Sequence, residues 1–246
     1  MSDESLKIFG MAIKKLYGQE ILKIIQNLIS LNQKGTVSYV NANSLNLVYK
    51  DDKMKKYLSA FNILHPDGLG VFLASKFLYG KNGFAKRITG SDFYNELIYH
   101  SIKNNWSFFF LGNIEETLSK ISKANPNLII KGYCNGFNFK SAELIDKVNV
   151  SKPNILIVGL GSPKQEEWII SNKNKIDVNV IIAVGDGIKV FAGNKRRGPK
   201  ILQKLGLEWF VRFIYEPKRL WKRYFIGIPI FILRVIRFKL TLNKFG

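Results

Sequence analysis

Along the first 190 residues, apolar positions recur at helical and strand spacing in turn. Between 19 and 33 they fall at Ile21, Ile24, Ile25, Leu28 and Leu31, the rhythm of one helical face. The run TVSYVN at 36–41 predicts a strand, 44–60 a polar-faced helix, and 61–64 a short strand stopped by Pro66. Helices are expected over 67–79 and 91–104. The run WSFFFL at 106–111 reads as a buried strand that meets Gly112-Asn113, with a helix following to Lys123. Further apolar runs at 128–131, 155–159 and 180–184 each stop at glycine, with helices over 141–150 and 162–172 between them. About six strands alternating with helices predict an α/β fold, a Rossmann-like, doubly wound and mostly parallel sheet.

Composition narrows the class. Of 246 residues, 46% are hydrophobic and 13% aromatic, which excludes a disordered chain and provides a core without disulfides or structural metal. The single cysteine, Cys134, excludes an internal disulfide and a Cys-rich metal site. A net charge of +20 calls for a polyanionic partner: nucleic acid, an anionic membrane face or a phosphorylated ligand. Residues 195–246 hold 14 of the 38 basic side chains and two of the 18 acidic ones, interleaved with aromatics. The expected organisation is therefore a catalytic core at 1–194 and a basic, aromatic-rich helical appendage at 195–246. The longest apolar run, YFIGIPIFIL at 224–233, is shorter than the ~20 residues of a membrane span. It suits the interface instead, with Arg234, Arg237 and Lys239 near headgroups. With no export signal evident, the expected location is cytoplasmic, peripherally associated with the inner face of the cell membrane.

Ligands of open α/β sheets bind beyond the carboxyl ends of the strands. The residues following the predicted strands are Asn41 and Asn43; His65, Asp67 and Gly68; Gly112 and Asn113; Gly159, Gly161 and Gln165; and Gly185 and Asp186. Amides, glycines and a carboxylate suit a polar, phosphorylated ligand. In VGLGSPKQEEW, two glycines after a strand let backbone N–H groups approach an anion at a helix N-terminus. Ser162 fits the N-cap, Pro163 the first helical position and Gln165 the capping box. Lys164 occupies the third glycine position of a dinucleotide fingerprint, and no P-loop follows. Asp67, in a Pro-Asp-Gly turn, either faces a ligand or caps the next helix. His65 is a rival base but reads as a core residue, and Asp51-Asp52 reads as solvated surface.

Several segments in order resemble the WecG/TagA/CpsF glycosyltransferases (glycosyltransferase family 26). They include NAN at 41–43, PDGLGV at 66–71, KRITGSDF at 86–93, FFLGNIEET at 109–117 and VGLGSPKQEEWI at 158–169. VGDGIKVFAG at 184–193, KRRGPK at 195–200, LEWFVRF at 207–213 and EPKRLWKRY at 216–224 continue the series. The resemblance implies an inverting, metal-independent transferase without a cofactor. It would move an N-acetylmannosamine or N-acetylmannosaminuronic acid type sugar from UDP to a polyprenyl-diphosphate-linked acceptor in cell-envelope polysaccharide synthesis. It also implies Asp67 as catalytic base, Asn43, Arg87 and Gln165 as substrate contacts, and Arg212 and Arg219 closing over the diphosphate. The chain departs from the family pattern at Asn41, where threonine is usual, and at Asp186 and Lys189, where an acidic side chain has changed place. Partners expected on this reading are the UDP-sugar, the lipid-linked acceptor and the membrane surface, with no nucleic acid; self-association is left open. Two other classes compete on the residues alone: a nicotinamide-dependent oxidoreductase and a basic nucleic-acid-binding protein.

Overall fold

The computed structural model describes residues 4–195, 198–199, 201 and 208–245. Its first element is one the hydrophobic pattern did not reveal, a hairpin of β1 (Ser5–Ile8) and β2 (Met11–Lys14). The two turn residues, Phe9 and Gly10, both have positive φ (52° and 76°), as the tight turn of a twisted hairpin requires. Phe9 holds that conformation with its ring buried edge-on against Tyr49, Phe231 and Phe238. Four-residue strands are too short to stand out as alternation, although their buried positions do alternate.

After α1 (Gly18–Ser30) come the six strands of a parallel sheet: β3 (Gly35–Val40), β4 (Ile63–Pro66), β5 (Ser107–Gly112), β6 (Ile129–Cys134), β7 (Ile155–Gly159) and β8 (Val180–Ala183). Their order is β4-β3-β8-β7-β5-β6. Between β3 and β4 lie α2 (Ala42–Val48) and α3 (Asp52–Ser59); α4 (Gly68–Tyr79) and α5 (Gly90–Lys103) lead to β5. α6 (Glu115–Ala124), α7 (Ser141–Ser151) and α8 (Lys164–Asn172) separate the remaining strands. Apart from the edge strand β6, the sheet is buried on both faces. Phe108 and Phe110 pack with Ile21, Ile25 and Leu97 on one side, while Phe109 and Leu111 pack with Val148 and Ile169 on the other. This is the expected Rossmann-like, doubly wound architecture.

Two local expectations are corrected. The segment 44–60 is two helices: α2 ends at Val48 with Tyr49 as its C-cap, and Asp51 starts α3, its Oδ1 accepting from Lys53 N at 2.8 Å in a favoured N-cap arrangement. Asp51 is exposed, as expected, and caps α3 as well. Gly132 lies inside β6, not after it.

Beyond β8 the chain forms α9 (Ile188–Phe191), α10 (Glu208–Tyr215), α11 (Pro217–Trp221), a π-helical turn over Lys222–Gly227, and α12 (Ile228–Phe245). Pro229 follows directly on the π-helical turn, whose αR backbone continues through Ile228 into α12, so the missing N–H falls where the helical hydrogen-bond pattern is already changing. Phe231 and Val235 enter the same core cluster as Leu45, Met54 and Val71. Arg234 is nearly buried: Nη1 donates to the Asn46 carbonyl (2.9 Å) and Oδ1 (2.8 Å), and its guanidinium lies 4.4 Å from the Tyr49 ring centroid. Lys239 Nζ donates to the Leu78 carbonyl at 2.7 Å. Both side chains therefore fasten α12 to α2 and α4, which corrects the expectation that they reach headgroups. Among the described residues no helix is long and apolar enough to cross a membrane.

Candidate functional site

A cavity of about 770 Å³ opens at the carboxyl ends of β3, β4, β7 and β8. The fold places it there: β3 and β8 are neighbours, but β3 connects to β4 on one side while β8 arrives from β7 on the other. A crevice at such a switch point is the usual ligand site of an open α/β sheet.

Asp67 follows β4 and lines this cavity. Although it stands at the N-cap position of α4, its side chain does not cap that helix. Instead Oδ1 accepts from Gly90 N at 2.8 Å, while its backbone N–H donates to the Val40 carbonyl. The carboxylate is thus fixed from the start of α5, and among the described residues no second hydrogen bond to it is formed. His65 does not compete with it as a base. Its ring is buried between Tyr39 and Phe93, Nδ1 donates to the Pro66 carbonyl, and burial pushes its pKa down.

Asn41, Asn43 and Arg87 also line the cavity. Asn41 has a structural task as well: Oδ1 accepts from Asn43 N (3.0 Å) and Ser44 N (3.1 Å), and Ser44 Oγ accepts from Asn41 N. Asparagine caps a helix as well as threonine does, so this departure from the family pattern keeps the turn. Gly161 faces the cavity with φ +78° and open space where a side chain would stand, so backbone N–H groups there are accessible to an anion.

Four predicted contacts do not reach the cavity. Gly112 and Asn113 end β5, which is two strands away from β8. Gly112 and Gly159 serve close packing: a methyl group on Gly112 would lie 2.5 Å from the Gly159 carbonyl oxygen. Asn113 turns its own Oδ1 onto Ile114 N. Gln165 is fully buried; Oε1 accepts from Gly185 N (2.9 Å) and Nε2 donates to Glu166 Oε1 (2.8 Å). Gln165 therefore ties the turns after β7 and β8 together, and Gly185 and Asp186 form the cavity wall beyond it. Nor does Ser162 cap α8: Pro163 is the flanking residue, and no side-chain cap hydrogen bond is formed there.

Arg212 and Arg219 line the cavity from α10 and α11 and converge on Asp186, at 3.3 and 3.4 Å. Lys189 pairs with Asp186 at 3.0 Å and with Glu216 at 3.1 Å, and Glu216 also pairs with Arg219. Burial pushes the Asp186 carboxyl up, but Arg219 and Lys189 beside it hold it below the usual carboxylate range. The two unusual residues of the 184–193 segment are therefore one ion pair.

The sequence did not single out four further lining residues. Lys195 and Arg223 add cations, and burial, with Arg212 nearby, pushes the Lys195 ammonium down. Both stand inside family-like segments, which was the available signal. Glu166 stands in such a segment too, whereas Tyr39 carried no signal; the burial that pushes both groups up is visible only in three dimensions. Arg196, Arg197 and Lys200 of KRRGPK lie outside the described residues. Among the described residues no three His, Cys, Asp or Glu side chains gather as a metal site.

This chain matches the family described as "Glycosyl transferase WecG/TagA/CpsF family" over residues 6–245. It is 33% identical over 205 residues to an N-acetylglucosaminyldiphosphoundecaprenol N-acetyl-beta-D-mannosaminyltransferase of Bacillus subtilis, covering 82% of this chain and 78% of that protein. A protein of the same name from Staphylococcus aureus is 31% identical over 182 residues, covering 72% and 70%. A match this long, on a doubly wound sheet with Asp67 and a group of cations at its switch point, makes the chain a member of the WecG/TagA/CpsF family of glycosyl transferases.

Proposed function

We propose that the chain transfers an N-acetylmannosamine-type sugar from UDP to an N-acetylglucosamine carried on a polyprenyl diphosphate, with inversion. One observation carries this reading: a single cavity holds a fixed carboxylate, Asp67, and the cations Lys195, Arg212, Arg219 and Arg223. The names of the two relatives supply the sugar and the acceptor.

Displacement at an anomeric carbon needs a base for the incoming hydroxyl and a stabiliser for the leaving diphosphate. Asp67, with Oδ1 tethered to Gly90 N, takes the acceptor hydroxyl proton as its oxygen forms the new C–O bond. The bond from the anomeric carbon to the UDP oxygen breaks on the opposite face, so the configuration inverts. The cations and the open backbone at Gly161 receive the charge that grows on UDP. Arginine presents a planar fork of donors matched to phosphate oxygens, which suits this task better than a point charge. Residues 1–194 form the catalytic core on this reading, and 195–246 close over the leaving group at the inner face of the membrane.

The oxidoreductase reading has no comparable support, since the third fingerprint position is Lys164, the first residue of α8. The test is UDP release across a panel of UDP-sugars with a lipid-diphosphate N-acetylglucosamine acceptor. Turnover with N-acetylmannosamine-type donors and dependence on the acceptor are expected. Release of nothing from any UDP-sugar would overturn the proposal.

A further inference from the structure

The cavity is chemically divided. The charged groups that line it come from strand ends, loops, the first turn of α8, α10, α11 and the π-helical turn, and none from α4 or α12. By contrast, α4 and α12 contribute Leu69, Leu73 and Phe77 on one side and Ile228, Ile232 and Ile236 on the other. The remaining α4 and α12 residues in the wall are also apolar or glycine, with Phe231 and Val235 buried beneath. Leu69, Leu73 and Phe77 are four residues apart and share one helical face. Leu73 and Phe77 are each 54% exposed, Ile232 50% and Ile236 42%, so the two helices present facing apolar stripes that nothing covers. Arg234 and Lys239 of α12 do not interrupt its stripe, because they are fastened to Asn46 and Leu78.

We propose that the groove between α4 and α12 binds the first isoprene units of a polyprenyl diphosphate, with the acceptor's diphosphate where the groove meets the polar part of the cavity, beside rather than on the cations assigned to UDP. This deepens the function proposed above by assigning the acceptor's hydrocarbon to named residues. The occupant follows from continuity: a cationic end and an apolar end belong to one cavity, and of the two proposed substrates only the acceptor joins a diphosphate directly to hydrocarbon. Its size limits the assignment. A cavity of about 770 Å³ is of the size that holds one drug-sized ligand. Only the first units fit, so the rest of a long chain stays in the membrane. The apolar faces then act as a guide that fixes where along the lipid the protein sits.

The test is direct binding by calorimetry, without detergent, of farnesyl diphosphate and of inorganic diphosphate to the full chain. Farnesyl diphosphate is expected to bind ~100-fold more tightly, the effect of burying about three or four methylenes. The double substitution Leu73→Asn, Phe77→Ser should erase most of that difference while diphosphate affinity stays the same, which also reports that the variant is folded. A second variant, Ile232→Asn, should act in the same direction from the other wall. Equal affinities for the two ligands in the wild type would overturn the groove. So would a preference for farnesyl diphosphate that both variants retain. If instead the variants lose only adsorption to anionic phospholipid vesicles and keep the farnesyl preference, the stripe is a membrane contact and the proposal fails. Because this readout needs no turnover, a wild type that binds farnesyl diphosphate through these residues but transfers no sugar would keep the groove and defeat the transferase reading.

Discussion

Replacing Asp186 by asparagine separates two roles that its geometry combines. The carboxylate lies 3.0 Å from Lys189, 3.3 Å from Arg212 and 3.4 Å from Arg219, and so joins the turn after β8 to α10 and α11. The Arg219 side chain is about half exposed, so that pair is largely screened and contributes a few tenths of a kcal/mol; the two less exposed pairs contribute up to ~1 kcal/mol each. Asp186→Asn should therefore destabilise the fold by ~2 kcal/mol, a fall in melting temperature of about 4–8 °C for a chain this size. The pH dependence has a definite sign. The folded carboxyl is held below its ordinary 3.8, so the stabilisation is complete above that value and is lost as pH falls through the folded pKa. Wild-type and variant melting curves should accordingly converge in acid. Ligand affinity should move the other way. Asp186 occupies the arginines that the diphosphate needs, and removing one negative charge beside the anion is worth ~1 kcal/mol after screening, or roughly fivefold tighter UDP. Thermal melting from pH 3 to 8, with UDP calorimetry at low and high salt, tests both halves. A variant that is less stable and also binds UDP more weakly would refute the reasoning, since Asp186 would then be ordering the arginines for the ligand rather than competing with it.

Asp67→Asn should retain the fold, since an amide oxygen can still accept from Gly90 N, and lower turnover ~100-fold or more with UDP affinity little changed. Near-normal steady-state turnover would remove Asp67 from the base role. Transfer should survive EDTA, because the proposed charge stabilisers are Lys195, Arg212, Arg219 and Arg223; loss on chelation with rescue by Mg²⁺ or Mn²⁺ would overturn that account. Phe231→Ala removes a nearly fully buried ring from the cluster shared by α12 and α4 and should cost ~3 kcal/mol or more in urea unfolding. An unchanged midpoint would mean that α12 is not docked as described.

The central sheet was legible because most of its strands are continuous apolar runs and three of them, β5, β7 and β8, run into glycine, a signal that survives without tertiary information. What escaped was short or depended on partners. The β1–β2 hairpin has four-residue strands, and its turn is held in part by Phe9 meeting Phe231 and Phe238 from more than two hundred residues away. The capping role of Asp51 escaped because one carboxylate near several lysines is ambiguous until the helix break is seen. At the site, position along a strand end named Asn43, Asp67, Gly161 and Asp186, which line the cavity. The same rule failed for Gly112, Asn113 and Gly159 because strand order, which decides which ends share the crevice, is not written in any one segment. Gln165 failed for a different reason: its amide side chain is used to join two turns, leaving Glu166 to reach the wall.

The departures from the family pattern show how a single chain reading can mislead about charge. Taken separately, Lys189 looks like a lost acid and Asp186 like an intrusive one, each altering the field on the donor. Together they form an i,i+3 pair that nearly cancels at a distance and acts only locally. The local action matters because Lys189 also reaches Glu216, and Glu216 in turn holds Arg219. The orientation of a proposed diphosphate ligand's arginine is thus set by a chain of ion pairs beginning in the turn after β8. Any substitution in that chain moves Arg219 as well as the local charge. On the other side of the cavity, α12 is fastened by Arg234 to Asn46, only a few residues from Asn41 and Asn43. Both ends of the C-terminal segment are therefore anchored to turns that carry cavity residues. A segment that served only to adhere to a membrane would need neither attachment.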